Sequence, residues 1–117
     1  MIKINFNSNT IVFYSEHENK FISISLTYRI LAFCINDNFI AVCEDWQQLS
    51  TKENLHIYDL KGNFLFNVQT APRALYGDGF YSSIGFENDN VLIAQSADFR
   101  YKFDLVSKKF ISEEYTK

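Results

Sequence analysis

A short pattern occurs three times in this sequence and limits the folds that the chain can adopt. Residues 14–22 read YSEHENKFI, residues 58–65 read YDLKGNFL and residues 103–111 read FDLVSKKFI. Each copy has an aromatic residue, then Ser or Asp, and later a Phe that begins a second apolar stretch. Ser and Asp at the start of a turn accept hydrogen bonds from the turn's own backbone N–H groups. The pattern therefore predicts hairpins in which aromatic strand ends flank a capped turn.

A second pattern occurs twice and completes the strand prediction. Asn-Asp-Asn precedes an apolar stretch at residues 36–38 and again at residues 88–90, which is typical of a tight turn that leads into a strand. The aromatic content of 17% also favours strands over helices. We therefore expect an all-β, antiparallel single domain over residues 1–117, with a truncated repeat at about 1–28 and four-stranded repeats at about 29–70 and 71–117. About eleven short strands are predicted, at residues 2–6, 11–14, 21–26, 30–36, 39–44, 55–58, 64–68, 80–86, 91–95, 100–103 and 110–114.

Composition limits the classes of partner and the compartment. The net charge of −3 argues against nucleic acid or an anionic membrane as partner, because both require a basic surface, and it permits a basic protein partner. No apolar run has the length of a signal peptide or of a membrane-spanning segment, so a cytoplasmic location is expected. A turn at residues 37–38 would place residue 34 opposite 41 and residue 32 opposite 43. Cys34 and Cys43 would then be offset, and we expect free thiols.

The residues that could support catalysis or metal binding are few. His17 and His56 are the two histidines, and neither has further His or Cys at metal-ligand spacing. A Cys–His catalytic pair has no support in the local sequence, and no nucleophile elbow or phosphate-binding glycine motif is present. We therefore expect a protein that is not an enzyme, with no cofactor, no metal and no small-molecule substrate.

The segment between the second and third strands of the middle repeat is the most informative candidate site. It runs over residues 45–54, whereas the same connection in the last repeat is short, at about residues 96–98. It contains the only Trp, and a Trp in a loop often anchors an interface. The predicted partner-binding residues are Glu44, Asp45, Trp46, Glu53 and Asp98. They would share an end that is more acidic than the opposite, lysine-bearing turns. The alternative is that Trp46 folds back onto the core while the acids are only solvated.

Residues 58–64 resemble the hairpin between the third and fourth strands of a β-propeller blade. A closed propeller needs at least four blades and this chain has fewer than three, so the resemblance implies a half-propeller. A β-sandwich or simple meander is the alternative. In size, charge and blade pattern the whole chain resembles the small immunity proteins of bacterial contact-dependent growth inhibition systems, some of which are half-propellers.

That resemblance implies an inhibitor that binds a basic toxin domain, such as a ribonuclease, and blocks its active site. An acidic surface can occupy a basic cleft in place of phosphates, and opposite charges speed association. The alternative function is a structural or interaction module of a larger assembly with no inhibitory role.

Overall fold

The computed structural model describes residues 9–45, 53–73 and 79–116, and within them the chain is all-β, with strands and no helix. The strands form three antiparallel sheets in sequence order, with neighbouring strands paired in each. The first sheet contains β1 (Thr10–Ser15) and β2 (Lys20–Ser25). The middle sheet contains β3 (Ile30–Ile35), β4 (Phe39–Glu44), β5 (Leu55–Asp59) and β6 (Phe64–Val68). The last sheet contains β7 (Ser83–Phe86), β8 (Val91–Ser96), β9 (Phe99–Asp104) and β10 (Lys109–Tyr115).

The all-β, antiparallel prediction is confirmed, and the predicted strands within the described residues match these elements closely. The largest difference is β7, which begins at residue 83 rather than 80. The three sheets lie within the three predicted repeat ranges. The predicted strand at residues 2–6 lies outside the described residues.

The turns of the β1–β2, β5–β6 and β9–β10 hairpins are capped as the sequence predicts. The Ser15 Oγ accepts the backbone N–H of Glu18 at 3.2 Å. The carboxylates of Asp59 and Asp104 each accept two backbone N–H groups from their own turns, at 2.8 to 3.0 Å. The backbone N–H groups of Ser107 and Val106 lower the pKa of the Asp104 carboxyl. The flanking aromatic rings meet edge to face across each hairpin, at centroid distances of 5.3 Å, 5.7 Å and 5.0 Å for Tyr14–Phe21, Tyr58–Phe64 and Phe103–Phe110.

The two Asn-Asp-Asn turns have the same hydrogen bonds and also touch each other. The Oδ1 atoms of Asn36 and Asn88 each accept two backbone N–H groups of their turns, at 2.7 to 3.0 Å. The Asn36 Nδ2 in turn donates to the backbone carbonyl of Asp89 at 3.2 Å. The β3–β4 and β7–β8 turns therefore lie side by side, at what we call the turn end. Since each sheet is a meander, the β4–β5 and β8–β9 connections lie at the other end, which we call the connection end.

The middle sheet is buried on both faces. One face packs with Ile11, Phe13, Ile22 and Ile24 of the first sheet to form the first core, to which the middle sheet contributes Ile40 and Val42. The other face packs against the last sheet to form the second core, which contains Ala41, Cys43, Leu55, Ile57, Leu92, Tyr101 and Phe103. Successive residues of β4 alternate between the two cores, as strand geometry requires.

Two exposed aliphatic side chains on the outermost strands are explained by β-bulges. The pairing of β5 with β6 skips Leu65, and the pairing of β9 with β10 skips Ile111. An extra residue in a bulge is left outside the regular alternation, so its side chain is not directed to the core. Leu65 and Ile111 are accordingly 43% and 54% exposed.

The predicted offset of the two cysteines is confirmed by the strand register. Cys34 lies opposite Ala41 and Ala32 lies opposite Cys43, and both thiols are free.

Candidate functional site

The β4–β5 connection, which carries most of the predicted partner-binding residues, leaves the middle sheet at the connection end. The backbone N–H of Glu44 donates to the carbonyl of Asn54 at 2.8 Å, which closes the base of this connection. Asp45 and Glu53 flank that base, and both are half-buried. Trp46 lies outside the described residues. Asp98 is in the two-residue β8–β9 turn and is also half-buried, so the predicted placement of these connections at one end holds.

Glu44 is in the interior rather than on the surface, which corrects the expectation that its carboxylate contributes to an exposed acidic end. The residue is only 3% exposed. Its Oε2 accepts the backbone N–H of Tyr28 at 2.6 Å, and its Oε1 is hydrogen-bonded to the His56 Nε2 at 2.8 Å. The other ring nitrogen of His56 is hydrogen-bonded to the Asn67 Oδ1 at 2.6 Å. Glu44 therefore links β5 to the segment before β3, and it is not available to a partner.

Asn54 is a buried residue at this site that no sequence pattern singled out. Its Nδ2 donates to the carbonyl oxygens of Glu44 and Tyr81 at 2.9 Å and 2.8 Å. Its Oδ1 accepts the backbone N–H of Tyr81 at 2.9 Å, and the residue is completely buried. Tyr81 itself is fully buried, with its hydroxyl donating to the carbonyl of Gln69 at 2.7 Å. Asn54 therefore joins the end of the β4–β5 connection to the segment that precedes the last sheet.

The charge at the connection end is partly neutralised by arginines. Arg29 pairs with Asp45 at 3.1 Å, and Arg73 pairs with Glu113 at 2.8 Å. The turn end has its own carboxylates beside its lysines. Among the described residues they are Glu16, Glu18, Asp37, Asp59, Glu87, Asp89 and Asp104. Both ends therefore carry carboxylates beside basic residues, and the greater acidity of the connection end stays a prediction.

The residues that could form a thiol–imidazole pair are separated by the sheet itself. The strand register pairs His56 with Val42, so its side chain lies on the first-core face, whereas Cys43 lies in the second core. Burial raises the pKa of Cys34 to about 12 and also raises that of Cys43. A thiol held in its neutral form is a poor nucleophile. Among the described residues no group of three or more His, Cys, Asp or Glu side chains is placed to hold a metal ion.

Comparison of the chain with known proteins gives no family assignment. No protein-family model matches the chain, and no curated protein matches it. Within the described residues, no helix is long and apolar enough to cross a membrane.

Proposed function

We propose that this chain is an immunity protein that binds a basic toxin domain, such as a ribonuclease, and blocks its active site. The observation that carries this proposal is the anchored connection between β4 and β5. The equivalent connection between β8 and β9 has two residues, so the longer one is not needed to join neighbouring antiparallel strands. It is nevertheless secured at its base by Asn54 and by the Arg29–Asp45 pair.

Fixing the two ends of a connection suits binding, because it reduces the conformational entropy that is left to lose when a partner binds. Glu53 and Asp98 are the two predicted acidic residues at this end for which no ion pair with another described residue is formed. Together with Trp46 they provide carboxylates and one aromatic anchor for a basic partner. The proposal therefore retains Asp45, Trp46, Glu53 and Asp98 and omits Glu44.

We further propose that the three sheets are consecutive blades of a half-propeller. Three observations support it: the middle sheet packs against both neighbours, equivalent turns of adjacent sheets touch, and the outer face of the last sheet is polar. That face carries Ser83, Gln95, Arg100 and Lys102 around a single strand-centre Ile93, whereas the equivalent face of the middle sheet is apolar. A polar outer face is the usual way to end a stack of repeats.

The test first asks whether a basic toxin domain is encoded immediately upstream of this chain's gene, and then uses that domain. We expect the chain to abolish the toxin's activity at equimolar amounts in a nuclease assay and to protect cells that express the toxin. If a saturating concentration of the chain has no effect on toxin activity, the inhibitor role is refuted. Tight binding without inhibition would instead favour the interaction-module alternative.

The location of the interface is tested with charge-reversed variants. The double variant Glu53→Lys/Asp98→Lys should associate more slowly with the toxin and show a flatter dependence on salt. Glu87→Lys/Asp89→Lys, at two exposed positions of the turn end, changes the net charge equally; it is the matched control and should associate normally. Equal behaviour of the double variant and the control would place the interface away from the connection end.

A further inference from the structure

A groove at the turn end, between the β1–β2 and β3–β4 turns, is separate from the connection end and is not used by the proposed function. It has a volume of about 260 Å³. Its floor is apolar and comes from three elements: Phe13 of β1, Ile35 of β3, and Leu60 of the β5–β6 turn. Phe13 belongs to the first core, and Ile35 and Leu60 pack against it, so the floor is continuous with the packed interior.

The walls of this groove are fixed by contacts within and between the turns. The Ser15 Oγ caps the β1–β2 turn by accepting the backbone N–H of Glu18. The Tyr14 hydroxyl donates to the Asn19 Oδ1 across the same turn. Glu18 also pairs with Lys61 at 3.7 Å, which ties the β1–β2 turn to the β5–β6 turn. The groove is therefore built into the fold and does not depend on one loose loop.

Two carboxylates lie at the groove, one from each turn. Glu16 belongs to the β1–β2 turn and Asp37 to the β3–β4 turn, and both are exposed. Neither forms an ion pair with any other residue in the described part of the chain, whereas Glu18 pairs with Lys61. The groove thus combines an apolar floor with negative charge at its rim.

We propose that this groove binds a lysine or arginine side chain of a protein partner. These side chains have an aliphatic stem that lies well on apolar surface and a charged head that stays at the solvent edge. The stem would lie on Phe13, Ile35 and Leu60, and the head would reach Glu16 and Asp37. The volume of about 260 Å³ is near the lower bound of roughly 300 Å³ for drug-sized ligands, so a single side chain can be accommodated.

The test is an NMR titration of the full, ¹⁵N-labelled chain with two peptides. The first is acetyl-Gly-Arg-Gly-amide, and the second replaces arginine with citrulline, which has nearly the same shape and no charge. We expect the arginine peptide to shift the amide signals of Glu16 and Asp37, and not that of Glu114, with a much smaller effect from the citrulline peptide. The absence of shifts at Glu16 and Asp37, or equal shifts with both peptides, would overturn the proposal.

A pair of variants separates a specific site from general attraction to an acidic protein. Glu16→Gln/Asp37→Asn should weaken binding of the arginine peptide by about 2- to 30-fold, as expected for the loss of two exposed ion pairs. Glu87→Gln/Glu114→Gln is the matched control, because it removes the same number of exposed carboxylates and neither residue lines the groove. A loss of less than twofold in the double variant, or an equal loss in the control, would also overturn the proposal. Because the toxin is absent from this experiment, its result does not depend on the proposed inhibitor function.

Discussion

The middle sheet is buried on both faces, but its two faces meet very different neighbours. The first core is largely aliphatic, with Ile11, Ile22 and Ile24 of a sheet that has two strands in the described residues. The second core is covered by four strands and contains large aromatic residues, including Tyr81, Tyr101 and Phe103. Since hydrophobic stabilisation grows with the apolar area removed from water, the second core should contribute more to the free energy of unfolding.

This difference implies that stability is not uniform along the chain. A two-stranded hairpin alone is at best marginally stable, so the β1–β2 hairpin, which is the described part of the first sheet, depends on its contact with the middle sheet. The last sheet has four strands and its own share of a larger core. We therefore expect the first sheet to open in partial unfolding events that leave the middle and last sheets folded.

The largest expected effect is from truncation in the second core. Phe103 is 1% exposed and contacts Phe110 and Phe66, at ring centroid distances of 5.0 Å and 6.3 Å. Phe103→Ala should lower the free energy of unfolding by about 3–5 kcal/mol, measured by urea denaturation. Amide exchange should become faster in all three sheets, because this core stabilises the whole chain.

The matched change in the first core is Ile24→Ala, at a residue that is 3% exposed. Ile24→Ala should lower the free energy that is needed to open the first sheet by about 2–5 kcal/mol. Hydrogen exchange should accelerate in β1 and β2 while β8 and β9 keep most of their protection. Equal acceleration in all sheets would show one cooperative unit and would contradict the distinction between the two cores.

Asn54 tests whether a buried polar side chain also holds the middle and last sheets together. In Asn54→Ala the backbone N–H and carbonyl of Tyr81 lose their partner in the interior. Leaving buried polar groups unpaired should lower the free energy of unfolding by about 2–3 kcal/mol, read from urea denaturation. Asn67→Ala removes a half-buried Asn with one side-chain partner, His56, and should cost less. A cost for Asn54→Ala no greater than that for Asn67→Ala would show that the link is dispensable.

Gly62 tests the contact between the β5–β6 turn and the first sheet. Its φ is +85°, and a Cβ added there would lie 2.7 Å from the Ile22 Cγ2. Gly62→Ala should therefore lower the free energy of unfolding by about 1–2 kcal/mol, because a residue with a Cβ is strained in the left-handed conformation. The loss should be larger if Ile22 must move. The effect should appear mainly as faster exchange in β1 and β2. Gly85→Ala is the control, because no atom lies within 4 Å of a Cβ at that position. Similar costs at the two positions would argue against this contact.

The smallest expected effect is a dependence of the free energy of unfolding on pH. It comes from Cys43, which lies in the second core. Burial raises the pKa of Cys43 above its ordinary value of 9.0, so the folded chain keeps this proton when the unfolded chain has lost it. Stability is therefore complete below the ordinary thiol pKa and falls as the pH rises above it. The loss should be about 1.4 kcal/mol between pH 8 and pH 10 for this thiol.

Urea denaturation of the native chain and of Cys43→Ala at pH 8 and pH 10 measures this loss of stability. The variant should be less stable at both pH values and should lose less stability between them. An unchanged pH dependence would show that Cys43 ionises as readily in the folded chain as in the unfolded one.

The strands and turns could be predicted from the sequence because their causes are local. Asn36, Asp59 and Asp104 each cap backbone N–H groups within four residues, so a short pattern contains the whole interaction. The turn at residues 37–38 likewise fixes the register, which is why the offset of Cys34 and Cys43 was predicted correctly. Strand positions in the middle and last sheets follow from these turns.

The candidate site was predicted less well, because its residues are controlled by distant partners. The direction of Glu44 could not be read from β4, since a strand buried on both faces has no alternation of polar and apolar residues. His56 lies 12 positions away along the chain and Tyr28 lies 16 positions away, and both become neighbours of Glu44 only when the sheet forms. The Arg29–Asp45 pair is also long-range. The local hairpins and their register are therefore encoded in short sequence segments. Which carboxylates are buried, paired or exposed depends on tertiary packing, because burial and pairing involve residues far apart in the chain.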